Sequence, residues 1–287
     1  MKVEQEEESK DMKKVLITGA NSYIGDSVRD YLLQFPDEYS VSVKDTRNWT
    51  PSVSDFKDID VVYHVAGIAH RRETRSNVHL YYEINKDLAI QVAKKAKEAG
   101  VSQFILMSTM SVYGLTTGFI KKSTKPNPKS HYGKSKLQAD RVIWKMRDDN
   151  FKVAILRPPM VYGKGCKGNY QRLKKFVLKS PIFLNYKNQR SMIYIGNLCE
   201  FVKECVNQER RGLFFPQNAE YTNTSEMVRI IAECNDKKIR MIGFLSWAIR
   251  LSSMNVVKKV FGDLVYEKVD MVGKFDFWES IFMTEGD

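Results

Sequence analysis

The sequence has few of the features that mark membrane, secreted or metal-binding proteins. It contains no run of about 20 apolar residues, so we predict no membrane-spanning helix. The first residues, MKVEQEEESKDMKK, are charged and lack the apolar stretch of a secretory signal, and we predict a disordered acidic tail over residues 1–12. Four irregularly spaced cysteines exclude a disulfide scaffold and a zinc site. These absences indicate a cytoplasmic protein with no bound metal.

The charge balance is basic, with 46 Lys and Arg against 34 Asp and Glu. Such a chain favours anionic partners, which include nucleic acids, anionic membranes and phosphorylated small molecules. Because the basic residues are scattered in pairs, we expect no nucleic-acid partner. The apolar stretch at 239–251 is too short to span a bilayer, so we expect no stable membrane insertion, while contact of this stretch with a membrane surface stays open.

Short β-branched runs alternate with longer helical segments through the first half of the chain. Helices are predicted near 25–34, 81–99 and 131–149. Strands separated by helices need crossover connections, which predicts an α/β fold with a doubly wound parallel (Rossmann) sheet whose ligands bind at the carboxyl ends of the strands. The predicted strands are Lys14–Thr18, Ser40–Lys44, Asp60–Val65, Gln103–Met107 and Lys152–Leu156.

The regular alternation loosens after Pro159, which is typical of a smaller mixed α/β lobe packed over the carboxyl edge of the sheet. We predict a dinucleotide-binding domain over 13–160, with returning segments near 190–207, and a mainly substrate-binding lobe over 161–287. The elements predicted in this part are helices at 168–180, 197–207 and 224–234 and short strands near 182–184 and 191–195.

A glycine-containing turn follows the first strand and opens the first helix. In a dinucleotide site such glycines let the backbone approach a pyrophosphate, which meets the free N–H groups and the positive dipole end of the helix N-terminus. Ser22 stands where the middle glycine is usual, and its small hydroxyl could donate to a phosphate oxygen. The predicted cofactor residues of this turn are Gly19, Asn21, Ser22, Tyr23, Ile24 and Gly25.

Asp45 ends the second strand, twenty residues after Gly25. A carboxylate at this point accepts hydrogen bonds from the adenosine ribose and repels a 2′-phosphate, so we expect NAD as the cofactor. Arg47, two residues further on, could pair with such a phosphate, and NADP therefore stays open.

Three Tyr-x-x-x-Lys pairs occur, each of which places a phenol and an ammonium on one helical face. They are Tyr82/Lys86, Tyr132/Lys136 and Tyr170/Lys174. Only Tyr132 follows a Pro-rich turn at the start of the helix after the fourth strand. That strand runs into residues 108–111 (STMS), whose hydroxyls emerge at the ligand-binding edge of a parallel sheet. Position therefore selects Tyr132 and Lys136 as the candidate pair.

These segments resemble an extended short-chain dehydrogenase/reductase of the NAD-dependent epimerase/dehydratase type, similar to UDP-glucose 4-epimerase and related nucleotide-sugar enzymes. The matching segments follow the family order from residue 18 to residue 198. They are TGANSYIG, Asp45, HVAGIAH, the Asn of EINKD, STMSVYG, YGKSK, RPPMVYG and RSMIYIGNL. The resemblance implies a nucleotide-diphosphate sugar as substrate, a place in polysaccharide biosynthesis, and a homodimer formed through the helices near 81–99 and 131–149.

The resemblance also implies roles for single positions of this sequence. Thr109, Tyr132 and Lys136 match the catalytic Ser/Thr, Tyr and Lys of the family. Many sugar epimerases carry an asparagine in the loop after the fifth strand, where this chain has Pro159-Met160. The implied cofactor residues are Ala66, Gly67, Asn85, Tyr132, Lys136 and Pro159, and the implied substrate residues are Thr109, Asn169 and Arg190.

Oxidation of a sugar hydroxyl fits the chemistry of these residue types. Bringing the pKa of a tyrosine from about 10 to near 7 takes roughly 4 kcal/mol. A lysine charge about 4 Å away, at an effective dielectric constant of about 20, supplies an energy of that size. We therefore expect Lys136 to lower the pKa of Tyr132 and to hold the nicotinamide ribose, while Thr109 aligns the reacting oxygen.

We expect a nucleotide-sugar 4-epimerase that transiently oxidises C4 of a UDP-hexose or UDP-N-acetylhexosamine. The alternative within the enzyme class is an NAD(P)H-dependent 4-keto-nucleotide-sugar reductase. A dehydratase is disfavoured because Met110-Ser111 follow Thr109, where such enzymes typically carry an Asp-Glu pair. Outside the enzyme class, the alternative is a non-catalytic protein that senses NAD or binds RNA. The intact set of Thr109, Tyr132 and Lys136 argues against that alternative.

Overall fold

The computed structural model describes residues 12–69, 71–243 and 254–286 of the 287-residue chain. Three features of the sequence analysis fall outside these ranges. They are residues 1–11 of the predicted tail, His70 in the HVAGIAH segment, and residues 244–251 of the apolar stretch.

Six parallel strands form the central sheet, and all five strands predicted in the first half of the chain are in it. The strands are β1 Lys13–Thr18, β2 Tyr39–Lys44, β3 Val61–His64, β4 Gln103–Met107, β5 Lys152–Leu156 and β6 Gly212–Phe214. They lie in the order β6-β5-β4-β3-β1-β2. The chain passes from β1 to one neighbour, β2, and then to the other, β3. The switch point at which ligands of such sheets bind therefore lies between β1 and β3.

Helices cover both faces of this sheet. They are α1 Tyr23–Leu32, α2 Val78–Tyr82, α3 Ala89–Glu98, α4 His131–Trp144, α5 Asn169–Lys179, α6 Ile195–Asn207, α7 Thr224–Cys234, α8 Asn255–Phe261 and α9 Phe277–Glu285. Short 3-10 turns occur at Val53–Phe56 and Met110–Tyr113. Between α2 and α3 the segment Glu83–Leu88 is π-helical, so the helix predicted over 81–99 is locally widened.

The two faces of the sheet have separate apolar cores. Ile105 of β4 packs in one cluster with residues of α1 and α6, such as Val28 and Leu198. Its neighbour Leu106 packs in another cluster with residues of α3 and α4, such as Val92. This division follows from the alternation of side chains along a strand, and it explains why β4 is buried throughout.

The structure differs from the sequence analysis in one strand and in several boundaries, including those of helices α1 and α4. The strand β6 is not predicted, because three residues (GLF) are too short to show a period and are recognised only by their pairing with β5. Helix α1 begins at Tyr23 rather than Gly25. Helix α4 ends at Trp144 instead of reaching residue 149, since the Asp148 side chain accepts from the following amides and closes a turn.

The later part of the chain contributes helices and short strand pairs, as predicted. The predicted helices correspond to α5, α6 and α7, and the strands predicted near 182–184 and 191–195 are present. The paired segments are Met160–Tyr162 with Met192–Tyr194, Ile182–Leu184 with Arg240–Ile242, Gly118–Ile120 with Leu264–Tyr266, and Gln217–Asn218 with Met271–Val272. The domain boundary near residue 160 stays a prediction. Across the described ranges, every helix is too short or too polar to cross a membrane.

Gln103 ties the end of α6 to the sheet. Its buried Nε2 donates to the carbonyls of Cys205 and Arg210 at 2.8 and 3.0 Å. Gln103→Ala is expected to lower the free energy of unfolding by about 1–3 kcal/mol, because the Arg210 and Cys205 carbonyls each lose a hydrogen bond, of which the latter keeps one from the Arg210 amide. Urea unfolding measures this loss. The exposed Gln208→Ala is the control and should change the value by less than about 0.5 kcal/mol. Equal stability of the two variants would contradict this role.

Candidate active site

The carboxyl ends of β1 and β3 meet at a turn with no room for side chains. A Cβ on Gly19 would lie 2.8 Å from the backbone nitrogen of Ala66, and Gly19 has a φ of 120°, which favours glycine. The amides of Val65 and Ala66 donate to the Thr18 carbonyl at 3.1 and 2.9 Å. The Gly19 amide donates to the Lys44 carbonyl at the end of β2, at 2.9 Å. Three strand ends are thus joined through their backbones.

Helix α1 begins directly after this turn. Ser22 is its N-cap and accepts a hydrogen bond from the Gly25 amide at 3.1 Å, so the serine at the middle position stabilises the helix terminus. A Cβ on Gly25 would lie 2.4 Å from the Ser22 hydroxyl oxygen. Asn21 has a φ of 59°, which asparagine tolerates. The amides of Tyr23 and Ile24 lie in the first helical turn, where no intrahelical acceptor exists. Close backbone and a helix N-terminus fit a dinucleotide pyrophosphate.

Asp45 follows β2 directly and lies at the surface. The Arg47 guanidinium donates to Asp45 Oδ2 from Nε and Nη2 at 3.0 and 2.5 Å, and the Arg47 amide donates to Oδ1 at 3.0 Å. These hydrogen bonds lower the pKa of Asp45 to about 2, so the carboxylate is charged at neutral pH. Asp45, which is expected to bind a ribose, is thus paired with Arg47, which could bind a 2′-phosphate.

Lys136 is buried below the loop that follows β3, with 4% of its surface exposed. Its Nζ donates to the Met107 carbonyl at the end of β4, at 2.9 Å. A Cβ on Gly67 would lie 3.0 Å from this Nζ and 2.8 Å from Asn85 Oδ1. Burial lowers the pKa of Lys136 to about 8, while the charge of Asp140 acts to raise it. The loop thus passes over the ammonium at a glycine because another side chain would displace it.

Asn85 holds the same loop from the π-helical segment. Its Oδ1 accepts from the Ile68 amide at 2.7 Å, and its Nδ2 donates to the Ile68 carbonyl at 3.1 Å and to the Ser135 hydroxyl at 3.3 Å. Single π-helical turns are frequent at functional sites. Asn85 therefore joins the loop after β3 to helix α4, the helix that carries Lys136.

Tyr132 lies in the first turn of α4, and its phenol lies beside the Thr109 side chain. The Thr109 hydroxyl oxygen accepts from the Ser111 amide at 3.1 Å. Burial raises the pKa of Tyr132 above its usual value, while the Thr109 side chain acts to lower it and the charge of Asp140 to raise it. The lowering that we expected from Lys136 is not found. The ammonium is bonded to the end of β4, and burial of the phenol has the larger effect.

Backbone hydrogen bonds on both sides fix the position of Thr109. The Ser108 amide donates to the Leu156 carbonyl at 2.7 Å, and the Met110 amide donates to the Pro158 carbonyl at 2.9 Å. The end of β4 therefore runs along the segment that follows β5. Pro159 continues this segment and is buried, and its contact with a cofactor stays a prediction.

Four polar residues close to this pair were not assigned to the site in the sequence analysis, although the Ser108 hydroxyl was expected at this edge. The Glu73 carboxylate accepts from the Tyr132 amide at 3.0 Å. The Ser108 hydroxyl and Arg157 Nε both donate to Oδ2 of the buried Asp140, at 2.9 and 3.0 Å. The position of Asp140, one helical turn beyond Lys136, was a usable signal. Arg157 begins the RPPMVYG segment, to which no role of this residue was attached. Glu73 comes from a distant segment, and no local pattern marks it.

Asn169 and Arg190 lie in the later lobe. Asn169 is exposed and begins α5. Arg190 is half-buried; its Nη1 donates to the Gly262 carbonyl at 2.8 Å, and its backbone pairs with Thr222. Burial lowers the pKa of Arg190, while Asp263 acts to raise it. These contacts lie within the lobe, so the binding of a substrate diphosphate by the two residues stays a prediction.

The convergence of a phenol, a hydroxyl and an ammonium at one sheet edge allows a proton to be moved to and from a bound hydroxyl group. The adjoining glycine turn and helix N-terminus fit a nicotinamide dinucleotide, because a Cβ at Gly19, Gly25 or Gly67 would collide with neighbouring atoms. In the part of the chain that the structure describes, no three His, Cys, Asp or Glu side chains are grouped to hold a metal ion.

Gly67→Ala tests the fit of the cofactor loop. The new methyl group would displace Asn85 and Lys136, so we expect the dissociation constant of NAD to rise at least about tenfold, or 1.4 kcal/mol. Calorimetric titration measures this change. Gly243→Ala is the matched control, because a Cβ there meets no atom within 4 Å. Wild-type affinity in Gly67→Ala would remove this loop from the cofactor site.

The sequence comparisons agree with this geometry. The family described as "NAD dependent epimerase/dehydratase family" matches residues 15–213. The UDP-glucose 4-epimerase of Vibrio cholerae is 28% identical over 265 residues, which cover 83% of this chain and 81% of that protein. The matched region contains the glycine turn, Asp45 and the set of Thr109, Tyr132 and Lys136.

Solved structures share the fold. The UDP-glucuronic acid 4-epimerase of Bacillus cereus, in complex with NAD, superimposes with a TM-score of 0.74 at 19% identity, over 95% of this chain and 97% of that one. The dTDP-4-dehydrorhamnose reductase of Bacillus anthracis, in complex with NADP, does so with a TM-score of 0.66 at 18% identity, over 87% and 98%. With the family match covering most of its length, the chain belongs to the NAD dependent epimerase/dehydratase family, within the extended short-chain dehydrogenase/reductases.

Proposed function

We propose that this NAD(P)-dependent enzyme is a nucleotide-sugar 4-epimerase that oxidises C4 of a UDP-hexose or UDP-N-acetylhexosamine and reduces it again from the other face. The observation that carries the proposal is the place of the Tyr132 phenol beside the Thr109 side chain, one helical turn from the buried Lys136. This set adjoins the glycine turn that fits a dinucleotide. Such an arrangement supports proton transfer at a sugar hydroxyl beside a nicotinamide.

When bound, the nicotinamide supplies the acceptor and donor of the hydride. The residues of the chain manage the proton. Thr109 orients the reacting hydroxyl group, and Tyr132 takes the proton from it and later returns it. Because burial raises the pKa of Tyr132 and no lowering by Lys136 is found, the phenol needs added positive charge to act as a base.

The nucleotide diphosphate is proposed to cross the cleft to the later lobe. Arg190 is the residue suited to it, because a guanidinium offers five N–H donors and its bond to the Gly262 carbonyl uses one. Asn169, at the exposed start of α5, is the second proposed contact. Both assignments follow the family resemblance, and both are proposals for this chain.

A 4-keto-nucleotide-sugar reductase is the second candidate, favoured by the structural likeness to an NADP-bound reductase. The similarity to a UDP-glucose 4-epimerase over 83% of the chain favours the epimerase. An epimerase keeps its cofactor through the cycle, whereas a reductase consumes one per turnover. Interconversion of UDP-sugars without added cofactor would support the first assignment. Stoichiometric consumption of NADPH with a 4-keto sugar, and no interconversion, would replace it with the second.

Tyr132→Phe tests the catalytic assignment. We expect a loss of roughly 10²–10⁴ in kcat with NAD affinity unchanged, because the phenol transfers the proton and contributes little to cofactor binding. Steady-state kinetics with UDP-sugars and titration with NAD measure the two quantities. Tyr82→Phe is the matched control, since Tyr82 also begins a Tyr-x-x-x-Lys pair and its hydroxyl is bonded to His131 Nδ1 at 3.0 Å. Turnover unaffected by the loss of the Tyr132 hydroxyl would remove the mechanism.

NAD is the proposed cofactor, because the Asp45 carboxylate is charged at neutral pH and opposes a 2′-phosphate. Asp45→Ala should weaken NAD binding and strengthen NADP binding by freeing Arg47, so that the ratio of the two dissociation constants changes at least about tenfold. Fluorescence titration with both cofactors measures this ratio. Asp30→Ala is the control, an exposed aspartate that is also paired with a neighbouring arginine. A ratio that already favours NADP in the wild type would overturn the assignment.

A further inference from the structure

One face of α4 matches the end of β4 residue by residue. Tyr132, Lys136 and Asp140 are spaced four apart and therefore lie on one side of the helix. Lys136 donates to the Met107 carbonyl at 2.9 Å, Asp140 accepts from the Ser108 hydroxyl at 2.9 Å, and the Tyr132 phenol lies beside the Thr109 side chain. The last residue of β4 and the two residues that follow it are thus each contacted by one helix residue. Only the third of these helix residues, Asp140, has no role in the proposed reaction.

Arg157 extends the attachment to β5. Its Nε donates to Asp140 Oδ2 at 3.0 Å and its Nη1 donates to the Tyr113 hydroxyl at 2.8 Å. Its amide donates to the Phe214 carbonyl of β6, and its own carbonyl accepts from Tyr266. Asp140 and Arg157 are 2% and 7% exposed. The pair therefore connects α4 to the ends of β4, β5 and β6 from inside the protein.

Stability alone does not account for such a pair. Two charges removed from water lose several kcal/mol of hydration each, and apolar residues of similar volume often stabilise a protein as well or better. Arg157 cannot lose its proton, so a neutral Asp140 would leave a buried guanidinium without a counter-charge. Burial raises the pKa of Asp140, while the charge of Arg157 and the hydrogen bond from Ser108 act to lower it. The pairing with Arg157 therefore favours the ionised carboxylate. Its second oxygen, Oδ1, has no hydrogen-bond partner in the described chain.

The negative charge of Asp140 acts on both catalytic groups. It acts to raise the pKa of Lys136, against the effect of burial, and it also acts to raise the pKa of Tyr132. The titratable or charged groups that face Asp140, Lys136 and Tyr132 are Arg157, Tyr81, Tyr113, Tyr266, His64 and Glu73. Arg157 is a fixed cation, and burial raises the pKa of the three tyrosines, so they are neutral phenols. Burial and the charge of Lys136 lower the pKa of His64 to about 3, so it is a neutral imidazole. Glu73 is a second carboxylate, which accepts from the backbone amide of Tyr132.

We propose that Asp140 is a positioning residue for the epimerase site, which holds the strand end carrying Thr109 against α4 and sets the pH range in which Lys136 and Tyr132 work. The inference rests on the proposed function in so far as it calls the site that of an epimerase. Its electrostatic part concerns the chain alone and is testable without any substrate.

Removal of the Asp140 charge should lower the pKa values of both Lys136 and Tyr132. In Asp140→Asn the negative charge is lost, so the ammonium of Lys136 gives up its proton at lower pH and the phenol of Tyr132 also ionises at lower pH. Lys136 acts while protonated and Tyr132 acts as a base once deprotonated, so both limbs of the pH–rate profile move toward acid. For a charge about 6 Å away the expected displacement is on the order of one pH unit.

The deciding experiment is a pH titration of the full-length protein labelled with ¹³C at lysine Cε and followed by NMR. Lys136→Arg identifies the Lys136 signal by its disappearance. The wild-type signal should titrate near pH 8, and in Asp140→Asn the midpoint should fall by on the order of one pH unit. Asp140→Glu keeps the charge and should restore the wild-type midpoint. Asp87→Asn removes an exposed carboxylate that is paired with Lys86 at 2.9 Å, and it should leave the midpoint unchanged.

An unchanged Lys136 midpoint in folded Asp140→Asn would overturn the proposal, whether or not the protein turns over any nucleotide sugar. If Asp140→Asn does not fold, Ser108→Ala tests the positioning role, because it removes one hydrogen bond to Asp140 and keeps the charge. Its kcat should fall several-fold at unchanged KM, with no movement of the pH–rate profile. Wild-type kcat in Ser108→Ala would then reject the positioning role.

Discussion

A buried ammonium determines how the carboxyl edge of this sheet is built. A buried charge without a partner is costly. The groups around Lys136 therefore accept a hydrogen bond from its ammonium, carry the opposite charge or leave room for it. The Met107 carbonyl accepts its hydrogen bond, and the charge of Asp140 offsets part of the desolvation. Gly67 leaves the space above it because it has no Cβ. The strand end, the loop after β3 and the face of α4 are therefore mutually dependent.

The sequence predicted the parts of this fold that are encoded locally. Strand and helix alternation is visible as a change of period, and the glycine turn is visible because the glycines stand between the first strand and the first helix. Tyr132 could be chosen from three equivalent Tyr-x-x-x-Lys pairs only through its place after β4. These signals predicted the parallel sheet itself, whereas its strand order, with β3 and β2 on either side of β1, was not predicted.

Other features depend on contacts between distant segments and could not be read from the sequence. The three residues of β6 become a strand only by pairing with β5. The bond from Glu73 to the Tyr132 amide joins residues 59 apart. The pKa of Tyr132 depends on how deeply the phenol is packed, which no spacing reveals, and here burial outweighs the neighbouring ammonium. The Ser22 oxygen caps helix α1, a role that was not predicted, and the donation of its hydroxyl to a phosphate stays a prediction.

The π-helical segment Glu83–Leu88 has a consequence for how the site tolerates insertions and deletions. A single π turn accommodates one residue more than an α-helix does over the same length, and each residue of an α-helix advances by about 100°. Deletion of one residue from this segment would make the backbone a regular α-helix. It would also rotate Asn85 about the helix axis relative to α3, so that its side chain would no longer face Ile68. The π-helical turn thus sets the rotation of α2 relative to α3 about the helix axis. A regular α-helix would support the loop after β3 less well.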